Sequence, residues 1–121
     1  MATQQHPICV TLIAGADLSA KQFFFVSVAA DGQVDPTGDG ADAAGVLQNA
    51  PAAAGRAAEV AISGVVKVEA GGSVTAGDDI ASDASGNAVT AATGDQILGV
   101  ALEDGADGQR IEILFQKRGT A

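Results

Sequence analysis

The chain is 121 residues long, room for one domain with one core, and its 16 glycines and many alanines leave that core to small side chains. Fifteen acidic residues against six basic ones give a formal net charge of −9, which disfavours a binder of phosphate backbones. One cysteine and one histidine exclude an intrachain disulfide and a Cys/His zinc site, and the absence of a long apolar run excludes a membrane-spanning helix.

The first seven residues, Met1 to Pro7, are polar and contribute nothing to a core. They read as a flexible N-terminal arm, with Gln4, Gln5, His6 and Pro7 as candidates to lie across a neighbouring molecule. They lack the basic and apolar regions of a secretory signal, so synthesis in a reducing cytoplasm is expected. Short apolar runs follow. Ile8 to Ile13 and Phe23 to Val28 read as strands, with Asp31-Gly32 a hairpin signal after the second. The stretch from Ala41 to Ala58 has helical propensity, but Gly45, Pro51 and Gly55 interrupt it. It is expected to form a strand and an Ala-Pro loop, with room for one helical turn.

Glu59 to Ile62 and Val65 to Glu69 flank Ser63-Gly64, and Val66-Lys67-Val68-Glu69 alternates with the period of a half-buried strand. Gly86-Asn87 is a second hairpin signal. Gln96 to Leu102 and Gln109 to Gln116 complete the set, the latter with alternation in Arg110-Ile111-Glu112-Ile113. Many short strands at close spacing predict an all-β fold, a compact barrel or sandwich.

The sequence also aligns with itself. Val10-Thr11-Leu12 matches Val66-Lys67-Val68 at an offset of 56, Gly45-Val46 matches Gly99-Val100 at 54, and Glu59-Val60 matches Glu112-Ile113 at 53. This predicts one β domain over residues 8–118, built from two pseudo-symmetric halves at about 8–63 and 64–118 and related by internal duplication, with 119–121 as a tail. Neither half could bury a core alone.

Reactive groups are few. His6 and Cys9 are the only imidazole and thiol, close to one terminus and with no geometry that pairs them; Cys9 reads as a small buried apolar residue. Asp35, Asp39 and Asp42 form one acidic loop, and Asp78, Asp79 and Asp83 another, but neither has the spacing of an EF-hand. Gly38 to Gly45 is glycine-rich but has no lysine and several acids, so it is no phosphate cradle. Gly64 to Asp78 resembles the strand-turn-strand entry of biotinyl and lipoyl carriers, but Lys67 falls inside a strand rather than at a hairpin tip. No metal or cofactor is expected.

The three consecutive phenylalanines are the most unusual local feature. In a regular strand Phe24 points to one face and Phe23 and Phe25 to the other, so both faces need cover. A thin core has little room for both, which favours a subunit interface. Phe115 ends the last apolar run, and Lys117 and Arg118 follow it, suited to pair with an acidic surface.

The sequence resembles the phage capsid cement, or head decoration, family of small Ala/Gly-rich proteins. The likeness lies in the segments Val10–Val26, Gly45–Gly64, Lys67–Asp78 and Asp95–Glu103, and the Gly-Val-Leu-Gln-Asn-Ala-Pro block at 45–51 is its most specific part. It covers about Val10 to Phe115. The resemblance implies a non-enzymatic protein without cofactor that binds the outer face of an icosahedral shell, commonly as a homotrimer, and staples neighbouring subunits. Its partners would be the major capsid protein and itself, with neither nucleic acid nor membrane involved. It would be made in the bacterial host cytoplasm and end in the virion. The candidate interface residues are then Gln4, Gln5, His6, Pro7, Phe23, Phe24, Phe25, Phe115, Lys117 and Arg118. The alternative is a small acidic binding module that takes calcium or a carbohydrate on the Asp35–Asp42 loop.

Overall fold

The computed structural model describes residues 5–121, with side chains from residue 8 on. Nine strands form one sheet, and the described residues contain no helix. The strands are β1 (Gln5–Ala14), β2 (Phe25–Ala30), β3 (Gln33–Pro36), β4 (Gly45–Leu47), β5 (Ala57–Glu69), β6 (Asp79–Ser82), β7 (Ala88–Thr90), β8 (Gly99–Ala101) and β9 (Arg110–Phe115). The all-β expectation therefore holds, and the Ala-rich stretch is strand β4 plus loop. Gln5 to Pro7, expected in the arm, belong to β1, where Gln5 pairs with Val65. Met1 to Gln4 lie outside the described residues.

The sheet closes on itself. β1 pairs in parallel with β3 and antiparallel with β5, and β3, β2, β4 and β5 pair in turn, so five strands make a first barrel. The second half of β5 pairs with β9, then β8, β6 and β7 follow, and a parallel bridge between Ala70 and Ala88 closes a second barrel. Closure removes sheet edges that would otherwise invite pairing. β5 is common to both barrels. Two strands were expected around Ser63-Gly64, but the chain runs on as one strand, with Gly64 at φ 101° absorbing the bend between barrels.

The registers of the first barrel recur in the second. Val10↔Val60 has its counterpart in Val66↔Ile113, Phe25↔Val46 in Asp79↔Val100, and Ala14↔Val34 in Ala70↔Ala88. These correspondences fall at the offsets of 56, 54 and 53 at which the sequence aligns with itself. Gly45 and Gly99 occupy equivalent places. A Cβ at either would land on a carbonyl oxygen of the neighbouring strand, that of Ala61 or Leu114.

Two cores result. Ala14, Leu18, Val26, Val34, Leu47, Ala58 and Val60 fill the first barrel. The second is larger, because Phe25, Val46 and Ala61 of the first barrel's outer wall join Val66, Ile80, Leu98, Ile111, Ile113 and Phe115. Neighbouring residues thus face opposite ways across the shared wall, with Phe25, Val46 and Ala61 towards the second barrel and Val26, Leu47 and Val60 towards the first. The Asp31-Gly32 and Gly86-Asn87 signals mark equivalent hairpins, β2–β3 and β6–β7, with Gly32 at φ 70° and Gly86 at φ 91°.

Candidate functional site

The phenylalanine triplet does not form the regular two-faced strand expected. Phe23 has φ 70°, a left-handed conformation costing of order 1–3 kcal/mol for a residue with a side chain, so the chain bends before β2 begins at Phe25. The bend is held by Phe23 N–H donating to Leu47 O at 2.7 Å and by Phe23 O accepting from Glu69 N–H at 2.9 Å. The Arg110 guanidinium lies 4.8 Å and the Lys67 ammonium 5.7 Å from the centre of the half-buried Phe23 ring. Lys21 sits 4.8 Å over Phe24. Phe25 is wholly buried and meets Phe115, itself 4% exposed. The rings of Phe24, Phe25 and Phe115 are therefore spent on the chain's own core, and they leave little ring surface for a partner.

The C-terminal cations are exposed, and each has an acid of its own chain beside it. Lys117 Nζ is 3.2 Å from Asp42 and Arg118 Nη1 is 3.2 Å from Asp79. Lys117 bridges a shallow cleft of about 260 Å³ lined by Ser27, Val28, Asp42, Ala43 and Ala44. For the arm, only the backbone of Gln5, His6 and Pro7 is described, and Gln4 lies outside the described residues.

The Asp78–Asp83 loop serves turns. Asp83 Oδ1 accepts from the N–H groups of Ser85 and Asn87 at 2.8 and 2.9 Å, and Asp78 Oδ2 accepts from Thr75 N–H and the Thr90 hydroxyl at 2.9 and 3.1 Å. Asp17 likewise accepts from Ser19 N–H at 3.0 Å, which holds its carboxyl below the usual range. Among the described residues no group of three or more His, Cys, Asp or Glu is placed to hold a metal ion. Lys67 stands in mid-strand opposite Glu112, not at a hairpin tip where a carrier would present it. Cys9, expected to be buried, is exposed, because it lies on the outer face of β1 opposite Ala61; slight desolvation pushes its thiol pKa up and the Glu59 carboxylate adds to the shift, which keeps it in its weakly nucleophilic protonated form at neutral pH.

What sequence reasoning missed is a set of large apolar side chains left in water. Ile8, Val10, Ile13, Val28, Ile62, Leu102 and Leu114 are 36 to 59% exposed. Strand alternation gives each a face, but only the closed barrels decide which faces and ends stay uncovered. Where such groups gather on one face of a β surface they are suited to contact with other proteins.

These features define a small double-barrelled β protein whose notable surfaces are extended rather than concave. The chain belongs to the phage cement protein family, whose family model matches residues 2–116. Its role is thus capsid-associated and structural. Among solved structures, the N-terminal base of the head fiber protein gp8.5 of bacteriophage phi29 has the same fold, with a TM-score of 0.76 at 16% identity over 94% of this chain and 98% of that one. No curated protein matches the chain.

Proposed function

We propose that the protein binds the outer surface of a phage capsid and stabilises it by bridging neighbouring copies of the major capsid protein, without catalysing a reaction. The observation that carries this reading is the match of the cement family model over residues 2–116, on a sheet that closes twice into a rigid β fold. A ligand that binds only the assembled shell stabilises it by mass action. Joining copies into a homotrimer raises the effective concentration of each contact, so weak individual contacts suffice. The phi29 head fiber base is a protein of the phage head, which supports the same location for this chain, made in the bacterial host cytoplasm and carried in the virion. The arm residues Gln4, Gln5, His6 and Pro7, with Lys117, Arg118 and the exposed edge of Phe23, are the proposed contact points. The repeated strand register supports descent of the two halves from one duplicated unit.

Co-sedimentation with undecorated capsids tests the reading. The intact protein should pellet with the shells and raise their melting temperature. Lys117→Glu combined with Arg118→Glu should weaken pelleting about tenfold or more. The same change should lower the stability of the free protein by only about 1 kcal/mol, because both ion pairs are solvent-exposed. Absence of pelleting by the intact protein would refute the reading.

A further inference from the structure

Inside the chain, one barrel closes the mouth of the other. Phe25, Val46 and Ala61 stand in register across β2, β4 and β5 on the outer wall of the first barrel. That wall covers the end of the second barrel marked by Val66, Ser82, Leu98 and Phe115, each at most 4% exposed. The seam is tight. Phe25 N–H donates to Gly86 O at 2.7 Å, Gly40 N–H to Ser82 O at 2.8 Å, and the Phe25 and Phe115 rings lie 6.3 Å apart.

Each side of this seam has a register-equivalent counterpart that nothing among the described residues covers. The mouth residues Val66, Ser82, Leu98 and Phe115 correspond to Val10, Val28, Ala44 and Ile62 in the first barrel. There Val10 is 36%, Ile62 37% and Val28 57% exposed. The wall row Phe25, Val46 and Ala61 corresponds to Asp79, Val100 and Leu114, again in register across three strands. Leu114 is 36% exposed, Val65 lies opposite it, and the exposed Leu102 stands just past the end of β8, two residues after Val100, with its N–H donating to Glu112 O of β9. The first barrel thus has a mouth without a wall, and the second a wall without a mouth. Every exposed large apolar residue among those described belongs to one of these two places except Ile13, with Ile8 at the mouth end of β1 beyond Val10.

We propose that copies of this chain associate head to tail, the wall Val65–Leu114–Val100 of one copy seating on the mouth Val10–Val28–Ile62 of the next. The contact continues between chains the barrel-on-wall packing that already exists within one. A second copy is the occupant because it carries both surfaces, each at the register positions of its buried counterpart. The main difference is Asp79, which stands where Phe25 does, and Arg118 beside it at 3.2 Å offsets its charge at the rim. Such a contact is heterologous, so it leaves a free mouth at one end and a free wall at the other until a ring closes. It rests on the self-association in the reading above and names the surfaces that join, and it needs no capsid.

Sedimentation velocity on the full chain over a concentration series tests this, with the single variants Ile62→Asp at the mouth and Leu114→Asp at the wall. The intact protein should self-associate. Each variant should weaken association by about 100-fold or more, because the contact would bury an unpaired carboxylate. An equimolar mixture of the two should form a one-to-one heterodimer, since Ile62→Asp keeps its wall and Leu114→Asp keeps its mouth. Circular dichroism and melting temperature verify folding, and Val28→Lys with Leu102→Lys form a second pair at more exposed positions should either aspartate variant not fold. An intact protein that stays monomeric into the millimolar range, a variant that assembles like the intact protein, or a mixture that stays monomeric would overturn the proposal. Failure to pellet with capsids while self-association persists refutes the capsid reading alone.

Discussion

Phe25 and Phe115 meet across the seam between the two barrels, their ring centroids 6.3 Å apart and their planes tilted by 41°. Phe25 comes from the outer wall of the first barrel and Phe115 from the last strand of the second. Their contact makes the larger core a joint product of both halves. Neither half alone encloses Phe25.

It follows that the seam should unfold together with the barrels. Phe25→Ala and Phe115→Ala should each lower stability by about 3–5 kcal/mol, the cost of emptying a buried aromatic site. The double variant should lose about 0.5–1.5 kcal/mol less than the sum, the coupling of a tilted aromatic pair. Urea denaturation of the four proteins measures the cycle. Additive losses would mean that the rings do not interact.

Phe23 and its counterpart Gly77 take the same left-handed backbone, at φ 70° and 91°, and each donates its N–H to an equivalent carbonyl, Leu47 O and Ala101 O. Glycine adopts this conformation without strain, whereas Phe23 accepts strain to bring its ring beneath Lys67 and Arg110. Phe23→Ala keeps the strain and loses the ring, while Phe23→Gly loses both. The glycine variant should therefore be more stable than the alanine variant by about 1 kcal/mol. Thermal denaturation ranks them, and equal melting temperatures would show that the backbone is not strained.

Cys9 should alkylate more slowly than a free thiol at pH 8, because partial desolvation first, and the Glu59 carboxylate second, raise its pKa. Replacing Glu59 by Gln removes a negative neighbour and lowers that pKa, so the rate at pH 8 should rise and the pH–rate profile should move towards lower pH. Iodoacetamide labelling followed by intact mass reads both quantities. An unchanged profile in Glu59→Gln would remove the carboxylate from the explanation.

Local features were legible from residue order. The alternation at Val66 and Val68 against Lys67 and Glu69 returns as buried valines between half-buried polar groups, and Ile111, Ile113 and Phe115 line the same core. Both hairpins lie where Asp31-Gly32 and Gly86-Asn87 mark them, because glycine supplies the positive φ their turns need. Elsewhere local cues misled. Ser63-Gly64 looked like a turn, yet pairing with β1 on one side and β9 on the other carries β5 straight through. The phenylalanine run looked like a strand with two greasy faces, yet one left-handed residue turns all three rings towards their own chain or its cations. Of the interface residues expected, Lys117 and Arg118 are exposed, whereas Phe25 and Phe115 are interior.

By itself the sequence determined the strand class, the hairpins, the spacing at which the chain resembles itself and the shortage of reactive groups, since each depends on contacts between near neighbours or on residue type alone. The tertiary structure decided that the sheet closes twice, that the outer wall of one barrel stoppers the other, and that Val10, Ile62 and Leu114 stay in water while Val66, Phe115 and Ala61 do not. Equivalent positions in the two halves have nearly the same local setting. Only the packing of one half against the other, a long-range arrangement, separates the covered surfaces from the open ones.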